Sequence, residues 1–156
     1  MNREEIDKIA WQVIHAQLKS SDPPYGLAAC GRPCNYRELF DLMEHKGDDF
    51  ELAWSEFCHE FYRHKDASFF AVPPPDGFSR SYRALLAGAA EFWCREFGLE
   101  APAWIEEPQY FLDTPWMPWC EFLADDPEAV ARHRAKADPA FLRRNILFAA
   151  RNLISL

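Results

Sequence analysis

Residues 101–123 read APAWIEEPQYFLDTPWMPWCEFL, and this stretch limits what the rest of the chain can fold into. It holds three of the chain's six tryptophans, Trp104, Trp116 and Trp119, together with four prolines. Prolines at this density exclude a long helix, because each lacks an N–H donor and disfavours helical geometry in the residue before it. Aromatic rings nevertheless tend to leave water, since each buries roughly 150–250 Å². We therefore predict an irregular, largely buried crossover, the aromatic strap, laid across a helical core.

Helical periodicity dominates the sequence on both sides of the aromatic strap. Gly47 and Gly98 supply helix stops, and residues 146–148 are left open as a short strand. The predicted fold is all-α, a single-domain bundle of five to seven helices spanning residues 1–156. The candidate N-caps are Asn2, Asn35, Asp48 or Asp49, Ser79 or Ser81, Asp126 and Asp138. The first four predicted helices cover residues 2–19, 36–46, from 48 or 49 to 65, and 79–97.

Length and composition indicate a single domain without a membrane segment. A chain of 156 residues with 49% hydrophobic residues can bury a sizeable core. The first residues, MNREEIDKIA, are charged and lack the apolar centre of a secretory leader. No apolar run reaches the ~18 residues that a membrane span needs. Five cysteines are an odd number, which without a leader indicates reduced thiols and a cytoplasmic location.

Charge is divided unevenly along the chain, whose net charge is −8. Residues 1–128 carry 11 basic and 24 acidic side chains, whereas residues 129–156 carry six basic side chains and one acid. This acidic majority disfavours general nucleic-acid binding. One interpretation is that the basic end docks on acidic helices of its own chain or of a second copy, with residues 48–65 as the first candidate. The other is that Arg143, Arg144 and Arg151 form a surface that meets an acidic partner or nucleic acid.

No motif of established chemistry stands out. Cys30 and Cys34 are spaced like half of a zinc site, but no second pair stands near them. His59 and His64 lie five apart, one more than a metalloprotease helix requires, so we interpret both as solvated surface residues. Neither a glycine-rich phosphate loop nor a nucleophile elbow occurs. A Cys–His pair formed only by folding stays open. We predict no metal site, no cofactor and no catalytic residue.

A pattern in the second half resembles a recurring segment of small uncharacterised bacterial proteins. It is carried by RALLAGAAEFW with GLEAPAW, then FLDTPWMPW, then DPAFLRRNILFAARNL, over roughly residues 83–153. In those proteins an Ala/Leu helix leads to Pro-Ala-Trp and Leu-x-x-Pro-Trp, followed by Pro-x-Phe and an Arg-x-x-Ile run. Some have a helix-turn-helix domain in front, and others look like parts of toxin–antitoxin or mobile-element modules. The resemblance implies a bacterial regulatory or accessory protein.

Three functions fit these observations. The favoured one is an interaction or regulatory protein, antitoxin-like or accessory, of a bacterial two-gene module, with a protein partner or a second copy of itself. The next is a small enzyme or ligand-binding domain with a pocket against Trp104, Trp116 and Trp119. The last is a DNA-binding regulator that uses the basic C-terminal region, since the helical pair around Gly47 would face DNA with acidic residues. Titratable groups with shifted pKa values beside a cleft would favour the enzyme, and an exposed apolar patch would favour the interaction protein.

Overall fold

Helices joined by short turns form the part of the chain that the structure, a computed structural model, describes: residues 2–6, 31–47 and 49–153. The described ranges contain no strand, only an isolated parallel bridge between Trp116 and Ile146, so the predicted all-α fold is confirmed. None of the described helices combines the length and the apolar character that a bilayer crossing requires. The helices are α1 (Tyr36–Lys46), α2 (Phe50–His64), α3 (Arg80–Phe97), α4 (Pro127–Lys136) and α5 (Pro139–Leu142).

These helices begin at predicted residues, and α1 and α3 also end there, because the end groups of the backbone are satisfied locally. The helix predicted to run through Lys65 ends one residue earlier, at His64. Gly47 and Gly98 end α1 and α3 in the left-handed conformation, with φ of 68° and 65°. Asn2 accepts from the Glu5 N–H at 2.8 Å and opens a helical turn at residues 3–6, while the rest of the helix predicted over 2–19 lies outside the described residues, as do Cys30 and Asp48. Side chains that accept a backbone N–H at the helix starts are Asn35, Asp49, Ser79, Asp126 and Asp138.

Stacked aromatic rings of α2 and α3 build the centre of the core. Trp93 of α3 stacks on Phe61 at 4.2 Å, on Trp54 at 5.6 Å and on Phe57 at 6.0 Å, and all four side chains are fully buried. The Trp93 indole N–H donates to the Tyr62 hydroxyl at 3.0 Å, which satisfies a polar group that the core would otherwise leave unpaired. The two helices therefore form a fixed platform for the remaining elements.

The aromatic strap lies on this platform as a series of 3-10 turns, at Ala103–Glu106, Pro108–Tyr110 and Glu121–Leu123. Backbone hydrogen bonds join it to the segment after α5: the Trp116 N–H donates to the Asn145 carbonyl, and the Leu147 N–H donates to the Trp116 carbonyl, each at 2.8 Å. Residues 146–148 thus contribute one bridge instead of a strand. The prediction of a largely buried strap holds in part: Trp104, Ile105, Tyr110 and Met117 are buried, whereas residues 106–109 are exposed and Phe122 is 82% exposed.

Candidate functional site

Arg143 and Arg144, which the sequence predicted to meet a partner together, occupy different environments. The Arg144 side chain is 0% exposed, and its guanidinium donates to the carbonyls of Ala140 at 2.7 Å and Ile105 at 2.8 Å and to Glu91 Oε1 at 3.0 Å. Burial lowers the pKa of this guanidinium, and Glu91 opposes that shift. Arg144 is therefore not a surface residue, which corrects its predicted partner-binding role: its Nη1 and Nη2 donors are used inside the protein.

Arg143 is partly exposed but contacts carboxylates of its own chain. Its Nε donates to Glu91 Oε1 at 2.7 Å, its Nη1 donates to Glu106 Oε2 at 3.0 Å, and its guanidinium lies over the Phe111 ring. These hydrogen bonds raise the pKa of Arg143, and the bond from Arg143 lowers the pKa of Glu106. The C-terminal arginines consequently dock on α3 and the aromatic strap. The prediction that α2 would be their acidic counterpart is corrected.

The buried carboxylate of α2, Glu60, contacts side chains other than the C-terminal arginines. Glu60 is 4% exposed and lies 3.1 Å from His64 Nε2, 3.3 Å from Arg32 Nη1 and 3.7 Å from Arg63 Nη1. The His64 side chain is only 6% exposed, which corrects its interpretation as a solvated residue, whereas His59 is exposed as predicted. A carboxylate with two guanidinium groups and an imidazole as neighbours is well satisfied, so we interpret Glu60 as a structural residue.

Burial makes two thiols of the core poor nucleophiles. It raises the pKa of the Cys58 thiol well above its usual range and that of Cys94 to about 11. Both thiols are therefore protonated at neutral pH, and only a thiolate is an effective nucleophile. Among the described residues, no group of three or more His, Cys, Asp or Glu side chains is arranged to hold a metal ion.

The three tryptophans of the aromatic strap differ in burial. Trp104 is buried, its indole N–H donates to the Phe70 carbonyl at 2.9 Å, and its ring meets Tyr110 edge-on at 5.0 Å. Trp116 and Trp119 are half-buried and pack against the same hydrophobic core. Trp104 is therefore a core residue whose polar group is satisfied in the interior, which counts against its predicted place in a ligand pocket.

A half-exposed aromatic surface surrounds Phe50 at the start of α2. Phe50 stacks on Tyr82 at 4.0 Å and on Trp119 at 6.3 Å, and Trp116 meets Tyr82 edge-on at 5.9 Å. Trp119 has a φ of 60°, a left-handed conformation that is uncommon outside glycine. Phe122, in the following turn, exposes 82% of its surface. The end of the aromatic strap therefore presents rings that the core does not cover.

Carboxylates border this aromatic surface. Glu121 Oε1 accepts a hydrogen bond from the Trp116 indole N–H at 3.1 Å. Burial raises the pKa of the Tyr82 hydroxyl, and the negative charges of Glu121, Glu51 and Asp49 raise it further. These residues come together only in the folded chain, because α2, α3 and the aromatic strap each supply some of them. We call the following set the acidic aromatic face: Tyr82, Trp116, Trp119, Phe122, Asp49, Glu51 and Glu121.

The sequence indicated only part of this face. Trp116 and Trp119 were singled out, but Tyr82 was missed because it is distant in sequence and joins them only through the packing of α3 against the strap. One local signal was present: Phe122 follows Glu121 and precedes Asp125 and Asp126, which is an unusual place for a buried ring.

Comparison with known protein families, curated proteins and solved structures found no match to this chain. The resemblance of residues 83–153 to small bacterial proteins stays a prediction.

Proposed function

We propose that this chain is a protein-interaction module whose acidic aromatic face binds a basic segment of a partner protein. The observation that carries the proposal is Phe122, which is 82% exposed in the turn that follows the half-buried Trp116 and Trp119 in the aromatic strap. A large exposed apolar side chain close in sequence to partly exposed rings is a candidate interaction site, since contiguous apolar patches mark such sites more often than isolated apolar residues do. Trp and Tyr are also the residue types that contribute most to protein interfaces.

The carboxylates of the face select the class of partner. Asp49, Glu51 and Glu121 attract cations and repel both nucleic acid and acidic peptides. A cation that lies on an indole ring gains about 0.5–2 kcal/mol in addition. Arginine fits this combination best, since its planar guanidinium can stack on a ring and pair with a carboxylate at once. We therefore expect a partner segment in which arginine stands beside an apolar residue that contacts Phe122.

This proposal includes the antitoxin-like or accessory role in a bacterial two-gene module, with the neighbouring gene's product as the partner. The enzyme alternative has less support, because the thiols of Cys58 and Cys94 are buried and protonated. The DNA-binding alternative also has less support, because Arg144 is buried and Arg143 is paired with Glu91 and Glu106.

Peptide binding tests the proposal directly. Two labelled peptides of equal length, one alternating arginine with leucine and the other glutamate with leucine, are titrated with the protein at low and moderate salt, and fluorescence anisotropy is measured. We expect saturable binding of the basic peptide alone, weakened by salt. Phe122→Ser and Glu51→Lys should each weaken it about tenfold or more.

Val72→Ser is the matched control, because Val72 is an apolar residue of a different loop with 63% of its surface exposed. It should leave peptide binding unchanged, and all variants should keep the melting temperature of the wild type. Equal binding by Phe122→Ser, Val72→Ser and the wild type would contradict the proposal. Binding of tetramethylammonium without binding of the peptide would favour the ligand-binding alternative.

A further inference from the structure

A basic cleft lies where the last turn of α4 meets the 3-10 turn Ala150–Leu153. Its volume is about 140 Å³, close to that of an engineered cavity of about 150 Å³ that holds one benzene molecule. The cleft therefore has room for one small group. The residues that line it are Arg132, His133, Lys136, Ala149 and Arg151.

Arg132 and Lys136 differ from Arg143 and Arg144 in what they contact. Both are exposed, and within the described residues neither forms an ion pair. His133 Nδ1 lies 2.8 Å from the Ala129 carbonyl. A carbonyl only accepts hydrogen bonds, so Nδ1 carries the hydrogen, and Nε2 of the neutral ring is an acceptor. Arg132 and Lys136 are thus the donors that α4 brings to the cleft.

Helix geometry alone explains only part of this cluster. Basic residues are favoured in the last turn of a helix, where they offset the negative end of its dipole, and His133, Arg134 and Lys136 all stand there. That preference accounts for bases on α4, but it does not account for Arg151, which comes from a separate turn. Bases from two elements in one cleft indicate a binding site for an anion.

We infer that the basic cleft binds the phosphate group of a small phosphate monoester. Arg132 and Lys136 supply positive charge and hydrogen-bond donors, which together are the usual means of phosphate recognition, and Arg151 adds positive charge. A wider depression of about 490 Å³ adjoins the cleft and shares Lys136, Ala149 and Arg151 with it. Ala137, Pro139 and Ala150 line that depression and give it an apolar wall for the organic part of the ligand.

The acids near the site do not close it to phosphate. Asp138 lines the wider depression, but its carboxylate is occupied: Oδ2 accepts from Arg95 at 2.6 Å and Oδ1 from the Ala140 N–H at 2.9 Å. Glu4 is the other acid of the depression, and it does not line the cleft itself. A long nucleic acid is a poorer ligand, because residues 1–128 carry a net charge of −13 and would repel its other phosphates.

Calorimetric titration tests this inference, with inorganic phosphate, phenyl phosphate and phenol as probes. We expect saturable binding of both phosphates, tighter binding of phenyl phosphate, and none of phenol. Arg132→Gln and Lys136→Gln should each weaken phosphate binding about tenfold or more. Arg134→Gln is the matched control, since Arg134 is an exposed base of the same helical turn that does not line the cleft.

Each outcome decides the inference. No saturable phosphate binding, or an equal loss in Arg134→Gln and Lys136→Gln, overturns it. Tighter binding of a short single-stranded oligonucleotide than of phenyl phosphate also overturns it, in favour of a nucleic-acid surface. Phe122→Ser should leave phosphate binding unchanged, so failure at the basic cleft and failure at the acidic aromatic face are distinguished.

Discussion

At the scale of single residues, the turn after α5 directs the side chains of the adjacent Arg143 and Arg144 into different environments. Asn145 has a φ of 62° and its side-chain amide donates to the Leu112 carbonyl at 2.7 Å, which fixes the chain reversal. The Ile146 N–H then donates to the Phe141 carbonyl at 3.0 Å. Arg144 consequently lies in the interior, where its fork of donors spans two carbonyls and a carboxylate.

Arg144 should contribute far more to stability than Arg143. Arg144→Met leaves the carbonyls of Ala140 and Ile105 without their side-chain donor, and breaking a buried ion pair from one side costs about 3–5 kcal/mol. Arg143→Met should cost about 0–1 kcal/mol, because its ion pairs are partly exposed. Urea unfolding of both variants gives the two free energies. Similar losses in the two would mean that Arg144 is not the buried anchor described here.

The pKa of Glu106 predicts a small dependence of stability on pH. Its hydrogen bond to Arg143 lowers this pKa in the folded protein, so ionised Glu106 favours folding. That contribution is present above the pKa of Glu106 in the unfolded chain and is lost as the pH falls through its folded value. Glu106→Gln should therefore lose slight stability near neutral pH and none in strong acid, as urea unfolding at several pH values would measure. The effect should vanish in the Arg143→Gln background, and its persistence there would exclude this pair as the cause.

At the scale of elements, Gly88 sets the distance between α3 and α5. A Cβ atom at this position would lie 2.6 Å from Cδ1 and 2.8 Å from Cε1 of Phe141. Phe141 is fully buried and cannot withdraw into solvent. The absence of a side chain at Gly88 is thus what allows the Phe141 ring to pack on α3.

Gly88→Ala should destabilise the protein although alanine is the better helix former. Overpacking costs about 1–3 kcal/mol, whereas the gain in helix propensity is about 1 kcal/mol. Thermal and urea unfolding of Gly88→Ala, Phe141→Leu and the double variant form a cycle that isolates the contact. Phe141→Leu should cost less in the Gly88→Ala background than in the wild type. A more stable Gly88→Ala variant would show that the two helices are not in close contact here.

The features that the sequence could predict are those that depend on interactions between residues close together in the chain. The caps at Asn35, Asp49 and Ser79 depend on neighbours three residues away, so the helix starts were readable. The burial of Arg144 depends on Glu91 and Ile105, which are distant in sequence. Because basic residues are common near the C-terminus, the sequence instead favoured an exposed position for Arg144. The acidic aromatic face was indicated only in part for the same reason: Trp116 and Trp119 lie in one local stretch, but three elements supply the face and no local pattern joins them.

At the scale of the whole molecule, the uneven charge of the sequence has two different outcomes. Part of the positive charge of residues 129–156 is used internally, where Arg143 and Arg144 pair with Glu91. Arg132, Lys136 and Arg151 line the basic cleft, while carboxylates border the acidic aromatic face. Two surfaces of opposite charge on one chain can also bind each other between copies, in a head-to-tail arrangement. The molecular mass in solution should therefore be measured at low and moderate salt alongside both binding experiments.

The hydrophobic core predicts that residues 34–153 unfold as one unit. Its buried residues run from Cys34 before α1 to Leu153 after α5, and they form one cluster that includes both the α1–α2 pair and the segment after α4. Five of the six tryptophans lie in α2, α3 and the aromatic strap. Tryptophan fluorescence and far-ultraviolet circular dichroism, which reports on all helices, should therefore give coincident urea transitions. A chain that ends at Ala137 should fail to fold, because it lacks the core residues Phe141, Ile146, Phe148 and Leu153. Separate transitions, or a truncated chain that keeps its cooperative unfolding, would contradict the prediction of a single domain.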